Sequence, residues 1–186
     1  MQDLFMNHSA YLARFIPFLS YFPLVIFMMV VRIKNLLNDQ SDSLEWATPF
    51  LYASLVAVVV IVLHVIFKAD LNRFLLAINL WLIACALLFL CNNVKLLNLM
   101  DDYKGPFFFI SFIITGIISM LFLKGGFIDL KHITHEKNNR LSLFLLSGCV
   151  IALIWSLIFN SAGFILSIVV PFAALRIFYA ILIKRS

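Results

Sequence analysis

Arg176 stands inside an apolar run, five positions after Pro171 and nine after Ser167. An arginine near mid-membrane depth costs about 2.5–3.5 kcal/mol on insertion scales, so a cation there needs a reason. Pro171 has no N–H to give the Ser167 carbonyl one turn earlier, which leaves that oxygen free at an expected kink. A cation beside a kinked helix could hold an anionic group, a carbonyl, a hydroxyl, a lipid phosphate or water. None of the other apolar runs offers a carboxylate as its partner. The competing reading is snorkelling: Lys184 is eight residues on, about 12 Å along a helix, and a long side chain covers part of that distance. Ser167, Pro171 and Arg176 therefore form the candidate intramembrane site, with both readings open.

Two other groups have the residue types for chemistry. His64 lies one turn before Lys68, which suits an interfacial histidine; a proton relay would need further members at mid-depth. Asp129, His132, His135 and Glu136 occur together in DLKHITHE. Histidines three apart share a helix face and could hold zinc. The spacing matches neither HExxH nor HxxEH, and a solvated amphipathic loop is the expectation. Cys85, Cys91 and Cys149 all fall in apolar runs, where cysteine behaves as a small hydrophobe. Asn79, Ser111, Thr115, Ser119, Ser147, Ser156, Gly116 and Gly148 read as close-packing and interhelical hydrogen-bonding positions. No serine–histidine–carboxylate set, phosphate loop or paired membrane carboxylates can be assembled, so neither an enzyme nor a cofactor is expected.

The elements that carry these residues follow from composition. The chain has 186 residues, 64% apolar and 12% charged, with 20 phenylalanines. Soluble domains run about 45–50% apolar and about 25% charged, and one of this length cannot hide the excess. Lipid must be the solvent for most of the surface. The net charge of +5 is scattered in short clusters without a basic face, which excludes a nucleic-acid binder. Arg14 alone precedes the first run and no small-residue cleavage site follows it, so that run reads as a retained helix.

A helix needs roughly 20 apolar residues to cross about 30 Å of hydrocarbon. Six runs meet or approach that length: 15–31 (with Pro17 and Pro23), 48–67, 74–91, 106–123, 141–159 and 162–183. In lipid such runs must close their own backbone hydrogen bonds, so the expectation is an all-α bundle of six transmembrane helices. Under that topology Arg14, Lys68, Arg73, Lys124, Lys131, Lys137, Arg140, Lys184 and Arg185 share one side. Arg32, Lys34, Lys95 and Lys104 share the other. The richer side is cytoplasmic, placing both termini inside the cell. Trp46, Tyr103 and Trp155 fall near outer ends, and Tyr11 and Tyr179 near inner ends, as membrane-interface rings do. Residues 15–91 and 106–183 form two three-helix halves of nearly equal length inserted in opposite senses, an arrangement that transporters use.

Tyr21-Phe22-Pro23-Leu24-Val25-Ile26-Phe27, the Ala47-Thr48 opening of the second run, and the acidic link Asp101-Asp102-Tyr103-Lys104 before the fourth form a further pattern. With the length and spacing of the runs, they resemble the intracellular septation protein A family of bacterial inner-membrane proteins. Lys104 is followed by Gly105 where that family has a tryptophan-lysine pair. The resemblance implies a non-enzymatic role in envelope maintenance or cell division, with membrane-protein partners, and it carries over no functional residue. The leading expectation is accordingly a non-enzymatic inner-membrane protein that supports envelope biogenesis, cell division or a larger membrane assembly. A small transporter or channel using Arg176 and Pro171 is the alternative, and an immunity-type protein against a membrane-active toxin is a third.

Overall fold

Why each apolar run becomes a helix, and where each stops, is visible in a computed structural model of the chain. It describes residues 18–36, 47–67, 69, 72–92, 94–123, 125–130 and 133–184. Every described element is helical, and five helices are long and apolar enough to cross a membrane. The chain is a multi-pass membrane protein by that measure. It divides into two compact units, Met1–Asn93 and Val94–Ser186.

The first unit holds α1 (Phe22–Leu36), α2 (Ala47–Ile66) and α3 (Arg73–Leu90). α1 departs from the expected first span. Only its Phe22–Ile33 stretch is apolar, too short for the criterion that the five longer helices meet, and the helix runs on past Val31. The expected start of that span, with Pro17, lies outside the described residues, as do Arg14, Lys68 and most of the 32–47 loop. α2 packs on both neighbours. Ala53 and Ala57 on α2 and Ala77 on α3 are fully buried, and such small side chains let helix backbones approach closely in lipid. At the α1 end, Phe27, Phe50 and Trp81 interlock with ring centroids 4.9–6.0 Å apart, and Phe89 stacks on Phe50 at 5.8 Å. Asn72 caps α3 by accepting the Phe74 N–H at 3.0 Å.

His64 packs inside the first unit at the end of α2, 2% exposed and bonded at both ring nitrogens. Nδ1 lies 2.8 Å from the Val60 carbonyl and Nε2 lies 3.1 Å from the Ser20 hydroxyl. A carbonyl can only accept, so Nδ1 carries a proton, and in the neutral ring Nε2 accepts from Ser20. The histidine pins the turn that leads into α1 onto the end of α2.

The second unit begins with a short helix, α4 (Val94–Asp102), inside what reads from sequence as a polar link. Met100 is buried, whereas Lys95, Leu96 and Leu99 are exposed. α5 (Lys104–Phe122) follows after a break at Tyr103. α6 (His135–Ile158) begins six residues before the expected span, because Thr134 caps it by accepting the Lys137 N–H at 3.4 Å. The chain then turns through a 3-10 segment (Asn160–Ala162) and Gly163, whose φ of +92° suits glycine. α7 (Val170–Lys184) completes the unit after a wide π-type turn at Ile165–Val169. Phe108, Phe109 and Phe112 of α5 interlock with one another, and Phe172 of α7 meets Phe108 and Phe112 at 5.5 and 6.2 Å.

The loop between α5 and α6 is anchored at its start: Phe127 and Ile128 are buried, and both backbone N–H groups donate to the Ser142 hydroxyl, at 2.8 and 3.1 Å. Asn138 clasps Leu130 from both sides, accepting its N–H at 3.3 Å and donating to its carbonyl at 3.2 Å. Gly126 makes the reversal with φ +62°.

Candidate functional site

The last span is where the sequence placed its candidate site, and there the helix is not continuous. Within the π turn the Val170 N–H bonds the Ile165 carbonyl, five residues back, instead of Leu166. The next position is Pro171, which has no N–H to offer. The Leu166 carbonyl is thus orphaned by two consecutive failures, and the Trp155 indole of α6 donates to it at 3.0 Å. The expectation named Ser167 as the residue with the freed carbonyl; the π register adds Leu166 to it.

Ser167 is itself buried, and its carbonyl faces Gly105 at the start of α5. A methyl group at Gly105 would sit 3.1 Å from that oxygen and would overlap the Ser156 hydroxyl. The Ser156 hydroxyl is fully buried and makes no hydrogen bond. The broken helix therefore packs against α5 and α6 through small residues, as close helix contacts in lipid require.

Pro171 lines a groove of about 530 Å³ between α6 and α7, with Phe144, Gly148, Ile151, Trp155 and Phe178 among its walls. The lining is almost wholly apolar. Ser147 contributes a hydroxyl, which is engaged by its own Leu143 carbonyl at 3.0 Å. Neither Ser167 nor Arg176 belongs to these walls.

Arg176 lies on another face of α7. Residues three and four apart on a helix are neighbours, which groups Arg176 with Phe172 and Tyr179. Its guanidinium carbon stands 5.4 Å from the Tyr179 ring centroid, a cation–π distance. Tyr179 is buried within the second unit. The three candidate residues thus divide: Pro171 opens onto the groove, Ser167 onto the α5 contact, and Arg176 onto a tyrosine face.

Of the DLKHITHE group, Asp129, His135 and Glu136 are exposed, and His132 lies outside the described residues. Glu136 accepts a 2.6 Å bond from Arg140 one turn on, an exposed pair of small energetic weight. No group of three metal-ligating side chains comes together among the described residues. Cys85 and Cys149 are buried and Cys91 is exposed.

Compared with models of known protein families, with curated proteins and with solved structures, the chain matches none.

The groups that sequence reading missed are Trp155 as a backbone cap, Ser142 as a loop anchor and Tyr179 as the arginine's neighbour. The Tyr179 pairing was within reach, since positions three apart on any helix adjoin. Trp155 and Ser142 find partners 11 and about 15 residues away across turns, which no local pattern encodes.

Proposed function

We propose that this chain is a non-enzymatic protein of the bacterial inner membrane that acts as a structural member of a membrane assembly, in envelope biogenesis or cell division. The observation that carries the reading is the filling of each unit. Interlocking phenylalanine rings occupy the contacts between helices, and the polar groups freed at the helix break are turned toward protein rather than a wet cavity. Such an interior suits a rigid element whose surfaces meet lipid and other membrane proteins. Taken with six crossings, nine basic residues fall on one side against four on the other, which supports both termini lying in the cytoplasm.

One observation favours a second reading. Discontinuous helices are a feature of many transporters, and this chain has a π turn before Pro171 in its last candidate span. Arg176 separates the two. Under the structural reading Arg176→Leu should insert at normal levels and complement a deletion, because leucine suits lipid better than arginine. Arg176→Lys should then be silent as well. Loss of complementation by both variants at normal expression would favour transport, where the planar fork of arginine cannot be replaced.

A further inference from the structure

We propose that α4 lies flat on the membrane surface, with Leu96 and Leu99 sunk into the boundary between lipid headgroups and acyl chains, and that this contact needs no anionic lipid. The inference goes beyond the structural role above and holds whichever side of the membrane this end of the second unit faces.

The place of α4 within the second unit is fixed at its C-terminal end. Its nine residues span about 14 Å, under half of a hydrocarbon core of about 30 Å, so α4 cannot cross. Tyr103 leaves helical geometry at φ −124° and ψ 42°, and the span Lys104–Phe122 starts at the next residue. On the turn that follows α6, Asn160 donates to the Asp102 carbonyl at 2.5 Å. α4 therefore ends where α5 begins and α6 has finished, which is where two spans reach the edge of the hydrocarbon. Tyr103 at the break and Trp155 near the end of α6 are 42% and 39% exposed, and such rings favour the headgroup level.

Three sectors divide the surface of α4 at 3.6 residues per turn. Leu97 and Met100 share the first; Met100 is buried and Leu97 half-buried, so this sector meets protein. Lys95, Asn98 and Asp102 share the second and are all exposed, as polar groups facing water are. Leu96 and Leu99 lie between them, one turn apart, and are 40% and 44% exposed. The apolar medium that adjoins this corner is the lipid beside α5, where Ile110 and Ile114 are exposed further down the span. A helix with one apolar and one polar side rests in the interface plane, its apolar side about 5–10 Å deep. Charge does not hold it there, because the single basic residue of α4, Lys95, is outnumbered by Asp101 and Asp102.

The test places single cysteines at positions 96, 98, 99 and 102 of a chain carrying Cys85→Ala, Cys91→Ala and Cys149→Ala. Each is spin-labelled in dioleoylphosphatidylcholine vesicles without anionic lipid, and collisions with oxygen and with a water-soluble nickel chelate are compared. Labels at 96 and 99 should read about 5–10 Å below the phosphates, and labels at 98 and 102 should read in water. Nickel access at 96 and 99 equal to that at 98 and 102 would put α4 in water and overturn the proposal. Exclusion of both reagents from 96 and 99 would mean that protein covers them, a second copy or a partner, and would overturn it too. So would a depth pattern that appears only when phosphatidylglycerol is added. The unaltered chain gives a second reading if the cysteine-free one fails to fold. Phosphatidylcholine with a diazirine near the top of its acyl chain should mark Leu96 or Leu99, and adducts on the spans with none on α4 would reject the proposal.

Discussion

Ser142→Ala should lower the stability of the second unit by about 3 kcal/mol. The hydroxyl is fully buried and accepts the N–H groups of both Phe127 and Ile128. Removing it strands two buried donors, each costing about 1–3 kcal/mol when left without a partner. The effect should be local first. The loop ahead of α6 should lift, exposing residues 124–134 to protease before the helices separate. Gly126→Ala should mimic it, because φ is +62° there and an added methyl would stand 2.7 Å from the same hydroxyl. Ser147→Ala is the control. Its exposed hydroxyl bonds only its own Leu143 carbonyl, so unfolding in detergent should be almost unchanged.

Gly105→Ala should cost about 1–3 kcal/mol, the usual penalty for forcing atoms into a filled interior. The new methyl would overlap the Ser156 hydroxyl and approach the Ser167 carbonyl and Ile168 to 3.1 and 3.2 Å. Ser156→Ala alone should be neutral or slightly stabilising, since that buried hydroxyl has no hydrogen bond to lose. The double variant should recover part of the stability of Gly105→Ala, because the worst overlap is gone while the carbonyl and isoleucine contacts remain. A cycle measured by chemical unfolding should show coupling between the two sites. Additive losses would mean that α5 and α6 do not meet at this point.

Hydropathy identified the long helices because lipid imposes one requirement on every residue of a span. It could not locate their ends. His135–Arg140 is polar, and only the Thr134 cap makes it the first turn of α6. The π turn was hidden for a different reason: α and π windings bury the same apolar side chains, so composition does not separate them. Pro171 and Gly163 marked the region as irregular without saying which carbonyl would be released. The hydrogen-bond partner of His64 was not legible, because Ser20 is 44 residues away. The candidate site was legible as a list of residues but not as a place. Helical spacing could have parted Arg176 from Pro171, since five residues carry the chain to another face.

The orientation of the chain is most directly tested by labelling with a membrane-impermeant maleimide in spheroplasts. Four single-cysteine proteins suffice: native Cys91 alone, and Ser9→Cys, Ser41→Cys and Ser186→Cys in a cysteine-free chain. Six crossings with both termini inside predict that Cys91 and position 41 react from outside, while positions 9 and 186 react only after lysis. Labelling of position 9 from outside would show that the first, short apolar run does not cross. Labelling of position 186 from outside would contradict the orientation itself.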